Sequence, residues 1–90
     1  MIVQPSTNPK KKYMAIFENP KKTTHFGSKG MDDYTITKDK EQRERYRTRH
    51  KKDLETNDPR RAGYLSYYLL WGDSTSLETN IKTYKKKFNL

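Results

Sequence analysis

The basic run between residues 43 and 52 has the side-chain types that bind phosphate, because arginine and lysine form charge-assisted hydrogen bonds with anionic oxygens. If the run is helical, Arg43 and Arg47 lie on one side of the helix and Arg45 and Arg49 on another. Nearby acids such as Glu44 also allow a solvated face with salt bridges. We favour a solvated or protein-contacting face and keep phosphate contact as the alternative. The candidate phosphate contacts are Arg43, Arg47, Lys51, Lys52, Lys85, Lys86 and Lys87.

Aromatic side chains are concentrated between residues 64 and 71, which predicts core packing first and a partner interface second. Tyrosine and tryptophan bury large areas and are enriched among interface anchors. The aromatic positions span more than one helix face, so we expect some of them, Tyr67 included, to be exposed. Stacking on single-stranded bases is a further alternative. The candidate partner-binding residues are Lys10, Lys11, Lys12, Arg45, Arg49, Tyr64, Tyr67, Tyr68 and Trp71.

The sequence offers little for catalysis or metal binding. Cysteine is absent, which excludes thiolate catalysis, disulfide frameworks and zinc ribbons. The acids between residues 32 and 41 do not have the spacing of a calcium loop, and His25 and His50 lack an organised set of companion ligands. The loop Gly27–Gly30 lacks the full P-loop pattern and is interpreted as a turn. We therefore predict no enzymatic activity, no cofactor, no metal and no small-molecule substrate.

Composition predicts one small domain with a thin core. The chain has 90 residues, of which 30% are hydrophobic and 34% charged, and its formal net charge is +9. Such a chain buries little apolar surface, so we expect a marginal fold that is helped by a partner. The positive charge is spread along the chain, which suits either nucleic acid or an acidic protein surface. No apolar run approaches the roughly 20 residues of a membrane span, and no signal peptide is recognisable.

The N-terminal half predicts an arm followed by a small sheet. Residues 1–12 contain two prolines and three consecutive lysines and are expected to form an extended basic arm. Residues 13–27 predict a β-hairpin, with Tyr13, Ala15 and Phe17 on one face because strand side chains alternate. The segment Asp32–Thr37 predicts a third, short strand.

The C-terminal half predicts three helices. The first runs over residues 38–54 with Thr37 as its N-cap, and the second over residues 59–71 with Asp58 as its cap. The third runs over residues 76–88, where apolar side chains recur at helical spacing. The predicted fold is therefore α+β: a small antiparallel hairpin or three-stranded sheet, packed by about three helices, in a single domain over residues 13–90 with the arm before it. The periodic apolar positions of the third helix are Leu77, Ile81, Tyr84 and Phe88.

From Tyr13 to Leu90 the chain resembles a family of small basic proteins encoded by large double-stranded DNA viruses, including those of algae and amoebae. The resemblance implies a virus with a large particle, and it carries over no catalytic residue. The arm before Tyr13 lies outside the recurring pattern. The pieces that carry the resemblance are Phe26–Gly30, Asp33–Ile36, Lys38–Lys40, Arg45–Tyr46, Arg49–Lys52, Asp58–Pro59, Ala62–Gly63, Leu69–Trp71, Leu77 and Lys86–Phe88.

These observations favour a structural, non-enzymatic virion protein. The expected role is a minor capsid protein beneath the major capsid shell, made in the host-cell interior and located on the inner side of the capsid. Its expected partners are the major capsid protein and other minor capsid proteins, which its basic surface meets through acidic patches. The alternative is a basic DNA-binding or genome-packaging protein of the same virion, and a factor that binds a host protein is a third hypothesis.

Overall fold

Three strands form one antiparallel sheet in the order β1–β2–β3 in the computed structural model, which describes residues 1–90. The strands are β1 (Ile2–Pro5), β2 (Lys11–Glu18) and β3 (Lys21–Ser28). Tyr13 pairs with Phe26, and Ala15 with Thr24, so the predicted hairpin is confirmed. Ala15 and Phe17 are buried on the face that the two-residue period predicts.

The N-terminal segment is part of the sheet, and the extended arm is not confirmed. Strand β1 pairs with β2 in antiparallel register, with Val3 opposite Ala15. Val3 also packs against the core, because it lies on the same face of the sheet as Ala15. Two adjacent β-branched residues, Ile2 and Val3, favour a strand over an arm and outweigh the prolines around them.

The segment expected to form a third strand is helical instead, so that prediction is wrong. Helix α1 (Tyr34–Thr37) begins at Asp33, whose side chain accepts a hydrogen bond from the Thr35 backbone nitrogen at 2.8 Å. The same carboxylate, buried in the core, pairs with Nζ of Lys12 at 2.6 Å. An aspartate that caps a helix competes with strand pairing, which explains the difference.

Helix α2 (Lys40–His50) starts two residues later than its predicted start and is capped by Asp39, not Thr37. Lys38 between them adopts a left-handed conformation with φ of 57°, which ends α1 and separates it from α2. The Asp39 side chain accepts hydrogen bonds from the next turn of backbone. The chain then tightens into a 3₁₀ segment (Lys51–Thr56), which replaces the last turn of the predicted helix.

The predicted helix over residues 59–71 is shorter and irregular. It consists of α3 (Ala62–Leu65) followed by a π-helical turn (Ser66–Leu70), which we call the π-turn. Asp58 does accept a backbone hydrogen bond, from Arg60, but the segment that it caps is a turn. Leu69 and Leu70, adjacent in the π-turn, are both buried in the core.

Helix α4 (Leu77–Phe88) confirms the strongest periodic prediction. Ser76 caps it by accepting a hydrogen bond from the Thr79 backbone nitrogen at 3.2 Å. Tyr84 is buried, and Leu77, Ile81 and Phe88 pack around the core from the same side of the helix. The core lies between the inner face of the sheet, the π-turn and α4, so the fold class is α+β as predicted. None of the helices has both the length and the apolar character that crossing a membrane requires.

Candidate functional site

Most of the basic side chains lie on the surface without an acidic partner. Among the exposed ones, only Arg61 is within ion-pair distance of an acid, with 3.7 Å between its Nε and Oδ2 of Asp58. Two nearby acids pair with two members of the basic run, Glu44 with Arg43 and Asp53 with His50. The remaining exposed cations of this region are therefore free to attract an anionic partner; they are Arg45, Arg49, Lys51 and Lys52.

Arg43, a candidate phosphate contact, is instead an internal brace. Its side chain is buried, and its Nε donates to the carbonyl oxygen of Gly72 at 2.6 Å. Nη2 donates to Asp73 at 2.7 Å, and the guanidinium carbon lies 5.6 Å from the ring centroid of Tyr34. These contacts leave Arg43 unavailable to an external phosphate.

Three of the four candidate aromatic anchors belong to the core. Tyr64, Tyr67 and Trp71 are only 6%, 6% and 7% exposed, so the expectation of an exposed Tyr67 does not hold. Trp71 stacks on Tyr46 of α2 with 4.4 Å between ring centroids. A chain this short needs large side chains to fill its core, which is why the aromatic segment points inward. Tyr68 alone is half-buried.

Two tyrosines between two cations form a row, the cation–tyrosine row, that joins α2 to the end of α4. Arg47 donates from Nη1 to the carbonyl oxygen of Trp71 at 2.7 Å, and its guanidinium lies 4.2 Å from the centroid of Tyr67. Tyr67 meets Tyr68 edge to face at 5.1 Å, and Nζ of Lys87 lies 5.6 Å from the centroid of Tyr68. The structure thus brings together two candidate phosphate contacts, Arg47 and Lys87, with two candidate partner-binding tyrosines, Tyr67 and Tyr68.

Three of these side chains, those of Arg47, Tyr68 and Lys87, line a small cleft between the π-turn and α4, which we call the Arg47–Lys87 cleft. Its volume is about 150 Å³. Burial and the neighbouring Tyr67 raise the pKa of the Tyr68 phenol, so its hydroxyl stays protonated and is a hydrogen-bond donor at neutral pH. The polar side chains that line the cleft include those of Arg47, Tyr68, Asp73, Thr79, Thr83 and Lys87.

The rim of the cleft is held by buried polar contacts. Arg43 fixes the backbone of Gly72, as described above, and Asn80 of α4 fixes that of Ser74. Asn80 accepts from the Ser74 nitrogen at 3.1 Å and donates to the carbonyl oxygens of Ser74 and Leu69 at 2.8 and 3.0 Å. Asn80 is not among the residues predicted from the sequence. Its position, four residues before Tyr84 on the inward side of an amphipathic helix, is the signal that could have identified a buried polar brace.

The other candidate residues lie apart from the cleft. Lys12 is held by Asp33, Lys11 is half-buried in β2, and Lys10 is exposed in the β1–β2 turn. Lys85 and Lys86 are exposed on the last turn of α4, where cations are favoured by the helix dipole.

Arg45 borders an open, shallow depression of about 650 Å³ on α2, whose walls are two cations and two carboxylates and no apolar side chain.

The two histidines do not form a metal site. His25 contacts Ser6 and His50 contacts Asp53, and no group of three potential ligand side chains surrounds a common point.

The fold and the site together define a small α+β protein with a basic surface and one braced, cation-lined cleft. The chain belongs to the DUF5754 family, a family of unknown function, whose model matches residues 1–50. The match starts at residue 1, so it includes β1, which lies outside the pattern that the viral resemblance covers. No curated protein and no solved structure matches the chain.

Proposed function

We propose that this protein is a structural, non-enzymatic component of the particle of a large DNA virus, and specifically a minor capsid protein that lies beneath the major capsid shell. The viral assignment rests on the resemblance described above. The observation that carries the proposed role is the exposed set of cations without acidic partners, because an unneutralised surface attracts an anionic one.

The charges are arranged to act over a broad area. One group lies on α2 and the 3₁₀ segment, and includes Arg45, Arg49 and Lys52; another lies along α4, and includes Lys82 and Lys86. Because these side chains have no native partner to lose, each of them can pair with a carboxylate without breaking the fold. Charges of this kind mainly raise the rate of association and select the partner.

The burial of the aromatic segment changes how such a protein holds its partner. Tyr64, Tyr67 and Trp71 are in the core and do not provide the apolar anchors that dominate many interfaces. Attachment therefore depends on many weak electrostatic contacts, which salt screens efficiently. We expect the protein to leave stripped particles at moderate salt rather than to resist extraction.

A second candidate is a DNA-binding or genome-packaging protein of the same particle. It is favoured by the placement of Arg47 beside Lys87 and by the unpaired lysines of the 3₁₀ segment, since phosphate contacts from Lys and Arg supply sequence-independent affinity. The two candidates share an anionic partner but differ in where the protein lies.

Fractionation of purified particles separates the candidates. Particles are opened, empty shells are separated from genome cores, and the protein is quantified in each fraction over a salt series. The minor capsid proposal predicts recovery with the shells and release as salt rises. Recovery with the cores, together with a steep loss of DNA affinity between about 50 and 200 mM salt, supports the second candidate and overturns the first. Retention in shells at all salt concentrations contradicts electrostatic attachment.

A further inference from the structure

We propose that the Arg47–Lys87 cleft binds the phosphate of a phosphorylated side chain, presented by a protein partner. The proposal deepens the proposed function and rests on it, because it names the group by which an anionic partner is recognised. It is carried by the size of the cleft, its set of donors and its braced walls.

The size of the cleft selects a single small group. A volume of about 150 Å³ is roughly five times the share of one water molecule in the liquid, about 30 Å³. Sites for drug-sized molecules and cofactors are about 300–1,000 Å³. The cleft therefore has room for one tetrahedral anion and the end of the side chain that carries it, and it is too small for a nucleoside.

The donors of the cleft select an anion. Arg47 uses only Nη1 in hydrogen bonds to the protein, which leaves Nε and Nη2 for a ligand. Lys87 adds an ammonium group, and Tyr68 adds a protonated hydroxyl. The one carboxylate at the cleft, that of Asp73, accepts a hydrogen bond from Arg43 through Oδ1, and the two cations and the hydroxyl outnumber it. An acceptor with three oxygens and a charge near −2, as in a phosphorylated serine or threonine, matches this set better than a carboxylate with two oxygens and one charge.

The walls of the cleft are already in place, so binding orders little of the protein. Asn80 and Arg43 fix the loop that follows the π-turn, and Arg47 is held by its bond to the Trp71 carbonyl and by its position over Tyr67. Fixed donors lower the conformational cost of binding, which favours recognition of a small ligand.

The surroundings of Tyr68 favour a protein partner over a nucleic acid. Nζ of Lys87 lies over its ring, and Tyr67, Tyr84 and Phe88 pack around it with centroids 5.1, 5.7 and 5.6 Å away. These neighbours occupy much of the space around the ring and disfavour the stacking of a base on it. A backbone phosphodiester carries one negative charge and a sugar on both sides, whereas a phosphorylated side chain presents a free end with a charge near −2.

The test is a titration of the full, isotope-labelled protein followed by NMR. The probes are N-acetyl-phosphoserine N-methylamide, the same compound without phosphate, the matching glutamate compound and a 5′-phosphorylated thymidine dinucleotide. The proposal predicts that the phosphoserine compound shifts the amide signals around Tyr68, Thr83 and Lys87 and binds at least about tenfold more tightly than the other three. Equal binding by the glutamate compound, or tighter binding by the dinucleotide, overturns it.

Two matched variants separate the cleft from the general basic surface. Lys87→Gln removes a cation of the cleft, whereas Lys86→Gln removes an exposed cation from the same turn outside it. We expect about a tenfold loss of phosphoserine affinity for Lys87→Gln and less than about a twofold loss for Lys86→Gln. Equal losses overturn the cleft as the site but leave the proposed function intact, because that function is tested by the location of the protein in the particle.

Discussion

Arg43 donates a hydrogen bond from Nε to the carbonyl oxygen of Gly72 at 2.6 Å and thereby ties the middle of α2 to the end of the π-turn. Gly72 itself has no room for a side chain, because a Cβ atom there would lie 2.1 Å from the carbonyl oxygen of Tyr68. One corner of the molecule therefore requires both a buried guanidinium and a glycine. The cleft rim depends on this corner.

Replacement of Arg43 should be costly even though it lies in a run of bases. Arg43→Gln removes the bonds to Gly72 and Asp73 and leaves a buried carbonyl oxygen without its partner, which costs about 1–3 kcal/mol. Urea denaturation gives the free energy of unfolding. The matched control is Arg45→Gln, an exposed and unpaired position two residues away, where we expect a change within about 0.5 kcal/mol. Equal stabilities of the two variants would rule out the internal brace.

Gly72→Ala should destabilise the protein by about 3 kcal/mol or more, because the added methyl group collides with backbone rather than with a movable side chain. Gly30→Ala is the control. A Cβ there meets nothing within 4 Å, but φ is +88°, so the cost should be limited to about 1–2 kcal/mol of backbone strain. Thermal unfolding of both variants gives the order of their stabilities. A Gly72→Ala protein more stable than the Gly30→Ala protein would contradict the described turn.

Removal of residues 1–5 should destabilise the whole protein, because β1 shares a ladder and part of the core with β2. Because the truncation removes the half-buried Val3 and the strand pairing, we expect the free energy of unfolding to fall by about 2 kcal/mol or more. Calorimetry of the truncated protein measures it. The opposite result would be an unchanged melting temperature after truncation, together with no amide-exchange protection at Val3 and Gln4 in the intact chain. That result would mean that residues 1–5 are a dispensable arm.

High pH should unfold the protein through its buried tyrosines. Burial, with a contribution from Asp53, raises the pKa of Tyr46 from 10.0 to about 12, and burial also raises the pKa of Tyr68 and of Tyr84. A group with a raised pKa in the folded state stabilises the fold fully below its unfolded pKa. That stability is lost as pH rises from 10 to 12.

Urea denaturation at a series of pH values over that window measures the loss. Tyr46→Phe should show a smaller decline than the wild type, since one of the three shifted groups is gone. A free energy of unfolding that stays constant up to pH 12 would refute the burial of these hydroxyls.

Local sequence patterns predicted the elements whose physical cause is local. The hairpin follows from strand formers on both sides of a turn, and α4 follows from Leu77, Ile81, Tyr84 and Phe88 at helical spacing. The helical period also placed Arg43 and Arg47 on one side of α2, and in the structure both side chains donate hydrogen bonds to the backbone of the segment after the π-turn.

The errors come from competition between local signals and tertiary contacts. The segment from Asp33 to Thr37 is compatible either with a strand or with a helix capped by Asp33. In the structure Asp33 caps a helix and also forms an ion pair with Lys12, a tertiary contact. Ile2 and Val3 pair with the edge of β2, a contact that composition alone does not reveal. The cleft depends on Arg47 of α2 and Lys87 of α4 lining the same space, and no sequence period connects these two residues.

The most direct test of the account is the amount of an Arg45→Glu, Arg49→Glu double variant in purified particles, relative to the wild-type protein. Both side chains are exposed and unpaired, so the variant should keep its stability within about 1 kcal/mol, which circular dichroism and urea denaturation verify. Attachment through unneutralised cations predicts at least about a tenfold lower amount in the particles. A folded double variant present at the wild-type level would contradict the central claim that the basic surface holds the protein in place.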